Sequence, residues 1–269
     1  MNYSNPHTHT VFCDGKDTVE HMADRAYEQG LVSLGFSGHG KQTNNNFGIS
    51  SEEGYAAAVH SAAKKYAGRM KIWLGVEQDY YGVCGIRYDY KLGGVHYLTG
   101  LDGAEYPVDS NLQCFDRMLN QGFQGDYMTM ARAYFGRVVE MCERNQPDIV
   151  AHFDLIRKFN QGNRFFDETD PAYRACAMAA LNRIFDGKRL LEVNTGAMAR
   201  DWRDDPYPTL ELLSRWHELG GRVILGSDCH NAERLTYGFD TAIALMREAG
   251  YKTVWRLGTG DTLFEEEDI

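Results

Sequence analysis

The 269-residue sequence predicts an α/β fold, a closed or nearly closed parallel barrel with helices outside. Two observations lead there. Short apolar strand candidates alternate with helical stretches about seven times, and the length suits one such barrel. A doubly wound open sheet is the competing arrangement. Its usual cofactor role needs a glycine-rich first turn, and the first turn here reads His7-Thr8-His9.

The strand candidates are residues 3–10, 32–37, 71–77, 91–98, 148–152, 189–194 and 222–227. Helices are expected between most of them. The stretch 18–29 has Asp17 as N-cap, Glu20 three residues on and Gly30 as its stop. The stretch 51–67 opens on Ser50-Ser51-Glu52-Glu53. Residues 126–144 place Met128, Ala131, Phe135, Val138 and Val139 at helical spacing. Asp170-Pro171 starts the helix 171–185, a cap followed by proline at the first helical position. Stretches 208–219 and 240–249 end at Gly220-Gly221 and Gly250.

Composition narrows the function classes. The formal net charge of −10 repels nucleic acid and anionic membranes at long range, so neither is an expected partner. A small anionic substrate stays compatible, because bound metal ions dominate a local field. No stretch approaches the ~20 apolar residues of a membrane helix, and residues 1–6 have no targeting character. The six cysteines form no Cys-x-x-Cys pair, which reads as reduced thiols in a cytoplasmic protein. Oligomeric state is not legible.

In a parallel barrel the carboxyl ends of the strands carry function. His7 and His9 stand at i and i+2, so both point to one side of the first strand, with Asp14 in the next loop. Later strand ends deliver His39, Glu77, His96 and His152, and the last delivers Asp228 and His230. His21, His60 and His217 fall inside predicted helices and read as structural or surface residues. Nine N/O donors exceed one tetrahedral zinc and suit two or three ions with open positions for water and substrate. The chain has neither a Gly-x-Ser-x-Gly elbow nor a P-loop, so metal-assisted hydrolysis is the economical chemistry.

These motifs resemble the PHP superfamily (polymerase and histidinol phosphatase), in particular its histidinol-phosphate phosphatase branch. The carriers are His7-Thr8-His9-Thr10 with Cys13-Asp14, Phe36-Ser37-Gly38-His39 and Gly75-Val76-Glu77-Gln78-Asp79-Tyr80. Gly93-Gly94-Val95-His96, Ala151-His152-Phe153-Asp154, Glu192-Val193-Asn194-Thr195 and Gly226-Ser227-Asp228-Cys229-His230 continue them over nearly the whole chain. The resemblance implies a distorted TIM-like (β/α)7 barrel, one domain over 1–269, and three divalent ions (zinc, iron or manganese). By motif, His7, His9, Glu77 and Asp228 would hold one ion. Glu77, His96 and His152 would hold a second, and Asp14, His39 and His230 the third.

The implied reaction is hydrolysis of L-histidinol phosphate by a hydroxide bridging two ions, with Asp228 and His39 as the catalytic candidates. Arg157, Lys158 and Arg200 are candidate partners of the substrate phosphate. A different small phosphoester is the alternative substrate, since fold and metals do not choose it. A noncatalytic metal-binding module is the third reading. The sequence departs from the family at Gly38, where an acidic residue usually precedes the histidine, and at Gly93-Gly94.

Overall fold

In the structure, a computed structural model describing residues 2–44 and 47–269, nine strands form one sheet whose spatial order follows the chain. They are β1 (Ser4–Asn5), β2 (Ser33–Phe36), β3 (Lys71–Asp79), β4 (Tyr90–Gly94) and β5 (Ile149–Val150), then β6 (Leu190–Asn194), β7 (Arg222–Gly226), β8 (Thr253–Leu257) and β9 (Phe264–Asp268). Every neighbouring pair from β1 to β8 is parallel, and only β8–β9 is antiparallel. The main helices are α1 (Val19–Glu28), α2 (Glu52–Lys65), α3 (Tyr127–Asn145), α4 (Pro171–Ile184), α5 (Leu210–Glu218) and α6 (Phe239–Glu248).

The sheet curls until its first and seventh strands meet at the carboxyl rim. Beyond β1 and β7, Thr8 pairs with Cys229: His9 N donates to Cys229 O at 2.8 Å, and Cys229 N donates to His7 O at 3.1 Å. At the other end β8 bridges the gap, where Leu257 N donates to Ser4 Oγ and Ser33 Oγ donates to Leu257 O. The expected distorted TIM-like barrel is thus present, with two strands more than the seven expected. The strand β9 escaped the sequence reading because Phe264–Asp268 is mostly acidic and reads as a solvated run. Its glutamates instead clasp Arg256 of β8, Glu265 at 2.9 Å and Glu267 at 3.2 Å, which suits a charged edge strand.

The interior is filled rather than hollow. Tyr90, Leu92, Ile149, Ala151, Leu190, Ile224 and Leu257 form the inner layer, as expected for a packed barrel core. Tyr90 fits because β2 and β3 present glycines: a Cβ on Gly35 would fall 2.0 Å from its hydroxyl, and one on Gly75 2.3 Å from its ring. Outside, α1 and α2 bury Met22, Ala26, Tyr55 and Val59 against β2 and β3. The helices α3, α4, α5 and α6 cover the other side through Phe135, Leu181, Trp216 and Met246.

Helix starts follow side-chain capping. Thr18, not Asp17, caps α1 by accepting from His21 N, while Asp17 accepts from His21 Nδ1 and Ala232 N. Ser51, Asp126, Asp170 and Thr209 cap α2, α3, α4 and α5. Several strand expectations shorten, 148–152 to Ile149–Val150 among them. Residues 3–10 are regular strand only over Ser4–Asn5, since Pro6 has no N–H to donate. Residues 91–98 divide after Gly94, and Tyr97–Thr99 forms a separate hairpin with Glu105–Pro107 that leads to the cavity rim.

Candidate metal centre

The strand ends converge as the alternation rule requires. His7 and His9, brought to the rim by the Thr8–Cys229 pairing, aim their Nε2 atoms at the same two carboxylates. His7 Nε2 lies 3.3 Å from Glu77 Oε2 and 3.6 Å from Asp228 Oδ1; His9 Nε2 lies 3.5 Å and 3.1 Å from the same atoms. Glu77, near the end of β3, is the hub. Its Oε1 meets His152 Nε2 at 2.9 Å and His96 Nε2 at 3.3 Å, and its Oε2 meets His39 Nδ1 at 3.0 Å. Asp14 meets His230 at 3.1 Å and His39 at 3.6 Å.

All nine sequence-predicted donors are therefore in one place. Their atoms form four overlapping groups, each within 4.8 Å: His9-Asp14-His39-His230, His7-Glu77-His152, His7-His9-Asp228 and His39-Glu77-His96. Buried His7 Nε2, His9 Nε2, His39 Nδ1 and Glu77 Oε2 have no hydrogen-bond partner. Such atoms are costly to bury unless something else satisfies them. Lone pairs on imidazole and carboxylate, orphaned and mutually facing, are what divalent cations take, so the donor set fits the implied metals. His152 and Asp228 also hold positive φ, 24° and 47°, a backbone strain that concentrates at functional sites.

A second ring of residues orients the imidazoles. Buried His7 Nδ1 donates to Glu192 Oε1 at 2.7 Å, which leaves Nε2 free as a ligand atom. Glu192 Oε2 also accepts from His152 N and Asn194 Nδ2, both at 2.9 Å. His96 Nδ1 donates to Asp79 Oδ2 at 3.0 Å. The roles of Glu192 and Asp79 were missed from the sequence. The signal was available: Glu77/Asp79 and Glu192/Asn194 are i, i+2 polar pairs on buried strands, the same rule that singled out His7 and His9.

Electrostatics follow from this crowding. Burial opposes charging of His7, yet Glu192, Glu77 and Asp228 push its ring up to about 10. Burial likewise opposes ionisation of Asp228, but Arg200, His7, His9 and His230 hold it well below the carboxylate range. His230 moves the other way, lowered by burial and by neighbouring His9.

The three predicted cations have different fates. Arg200 reaches the centre, with Nη1 at 3.3 Å from Asp228 Oδ2 and Nη2 donating to Asp228 O and His230 Nδ1. Lys158 lines the adjoining cavity and donates to Asp109 Oδ2 at 3.0 Å and Asp109 O at 2.7 Å. Arg157 does not face it. Its guanidinium is buried and occupied by Asp154, Glu168 and Asp205 at 3.0, 2.7 and 2.6 Å, so the expectation that it meets substrate is corrected. The turn Leu155–Arg157 sends neighbouring residues 157 and 158 in different directions.

Gly38 has a steric reason. A Cβ there would fall 3.0 Å from Cys13 Sγ, and that sulfur lies 3.6 Å from His9 Nδ1. Cys13 thus crowds the point where a side chain at position 38 would begin.

The cavity above the donors measures about 800 Å³. His39, His96, Asp14, Asp228 and His230 line it, with Phe47, Tyr97 and Trp202 as aromatic wall. Other aromatics lie elsewhere: Phe123 is core, and Tyr80 and Tyr81 stack with Arg137.

Fold and site together define a distorted parallel barrel with a divalent-metal centre at its carboxyl rim. The model of the PHP domain family matches residues 5–196, and the chain belongs to that family. It is similar to a Deinococcus radiodurans protein named probable histidinol-phosphatase, 26% identical with 92% of this chain and 94% of the relative covered. It is also similar to the histidinol-phosphatase of Bacillus subtilis, 22% identical over 87% and 96% of the two chains. The crystal structure of Lactococcus lactis histidinol phosphate phosphatase, which holds zinc, L-histidinol and phosphate, has the same fold. The TM-score is 0.72, with 18% identity over 95% of this chain and 97% of that one. Among the described residues no helix is long and apolar enough to cross a membrane.

Proposed function

We propose that this chain is a metal-dependent phosphomonoester hydrolase of L-histidinol phosphate, a cytoplasmic enzyme formed by one PHP-type domain over 1–269. One observation carries the chemistry: nine donors and the Arg200 guanidinium converge beneath a cavity large enough for a small phosphate ester. The near full-length relatives named histidinol-phosphatase support the substrate.

We assign His7, His9, Glu77 and Asp228 to one ion, Glu77, His96 and His152 to a second, and Asp14, His39 and His230 to a third, with zinc, iron or manganese as candidates. When bound, such ions polarise phosphoryl oxygens and lower the pKa of water. Arg200 pairs with the phosphoryl oxygens, where a fixed cation is worth most as charge builds up. Asp228, facing both His9 and Arg200, is assigned the proton of the attacking water and returns it to the leaving oxygen as the P–O ester bond breaks. His39, between Glu77 and Asp14, keeps those carboxylates apart and in register.

The test is protein stripped of metal, reloaded with zinc, manganese or iron, and assayed for phosphate release across a monoester panel. Strong preference for L-histidinol phosphate is expected. Equal turnover of generic monoesters overturns the substrate, and no turnover with any metal overturns the reaction.

A further inference from the structure

Three carboxylates line the cavity: Asp14, Asp228 and Asp109. The first two belong to the donor groups; Asp109 belongs to none. Its position is built. Val108 N donates to His96 O at 2.9 Å, tying this segment to a strand end that carries a donor. Lys158, itself buried, then fixes Asp109 from behind with two hydrogen bonds, to Oδ2 and to the backbone oxygen.

The other oxygen, Oδ1, makes no hydrogen bond among the described residues, and it is not sealed from solvent, as the side chain keeps 27% of its surface. Burial opposes its ionisation, yet Lys158 and His96 hold the carboxyl down at about 2, so it is an anion at neutral pH. The cavity therefore has two poles. Arg200 and the donor groups form one suited to a phosphate, and Asp109 forms an anionic one. Tyr97 and Trp202 line the same cavity, the latter braced edge-on by Phe159 at 4.9 Å.

Resting on the phosphomonoesterase reading above, we infer that Asp109 is a specificity-determining residue that pairs with a protonated amine at the non-phosphate end of the substrate. The class of substrate it selects is the amine-bearing phosphomonoester, with Tyr97 and Trp202 as the aromatic lining for a flat ring.

The experiment compares D109N with wild type on L-histidinol phosphate, phosphoethanolamine and phenyl phosphate, whose tail is neutral. Titration of metal-loaded protein with L-histidinol alone gives a readout independent of turnover. D109N is expected to lower kcat/KM for the two amine-bearing esters about 10–100-fold more than for phenyl phosphate, mostly through KM, as loss of a charge-assisted hydrogen bond implies. L-Histidinol binding should weaken by a similar factor.

K158Q separates the alternatives, because it removes the lysine and keeps Asp109. If Asp109 only holds Lys158, both variants lose activity on all three esters alike, and the inference is overturned. If L-histidinol phosphate proves a poor substrate while phosphoethanolamine shows the selective loss, Asp109 keeps its role and only the substrate reading fails. Wild type that does not discriminate amine-bearing from neutral esters overturns the inference as well.

Discussion

Glu192 Oε1 lies 2.7 Å from His7 Nδ1, and neither side chain has any exposed surface. The contact joins β6 to the segment after β1, and it decides which nitrogen of His7 faces the centre. Glu192→Gln should weaken metal binding about 10–100-fold, the usual consequence of losing a partner that orients a ligand. Competition with a chromophoric chelator measures it. Metal affinity equal to wild type would show that His7 is oriented by packing alone. Gly226→Ala should act in the same direction, since its Cβ would fall 2.0 Å from Glu192 Oε1.

The pH dependence of the stripped protein follows from His7. Its pKa is about 10 when folded against an ordinary 6.5. A group raised on folding stabilises fully below its unfolded pKa, and that stabilisation fades as pH climbs to the folded value. The Tm of metal-free protein should therefore fall between pH 6.5 and about 10. Metal binding requires the neutral ring, so the Tm gain on adding zinc should grow over the same window. A metal-free Tm that stays level there contradicts the charge pattern.

Arg157 and Arg200 should fail differently. Removing Arg157 leaves buried Asp154 without its cation, while Glu168 and Asp205 keep Arg203, so Arg157→Met should cost about 3–5 kcal/mol of folding stability in urea titrations. Arg200→Met should leave stability nearly intact and reduce kcat on every phosphomonoester by about 10²–10³-fold. A large kcat loss in folded Arg157→Met, with stability unchanged, would restore Arg157 to the substrate.

Gly38 and Cys13 should be coupled. Gly38→Ala brings a methyl to 3.0 Å from Cys13 Sγ and should destabilise by about 1–3 kcal/mol. Adding Cys13→Ala should recover much of that loss, giving a nonzero interaction energy in a double-mutant cycle. Simple additivity would mean that the sulfur is not what keeps position 38 bare.

Much of this protein was determined by local pattern. Alternation places His7 with His9 on one side of the chain, and the rim rule collects His39, Glu77, His96, His152, Asp228 and His230 from strand ends alone. The helices α2, α3 and α4 follow from caps and periodicity that a few neighbouring residues specify. Strand β9 was not legible, because its partner Arg256 only makes its acidic run a strand through cross-strand pairing.

Tertiary structure decided the rest. Arg157, Lys158 and Arg200 are alike as cations in a sequence, and only distant carboxylates separate them. Asp205, 48 residues from Arg157, takes that guanidinium, while Asp109, 49 residues before Lys158, takes the ammonium and leaves one oxygen to the cavity. Glu192 became a partner of His7 through a separation of 185 residues. Side-chain direction along a strand is set by the backbone's own period. Which charge meets which is set by closure of the barrel, which no local period encodes.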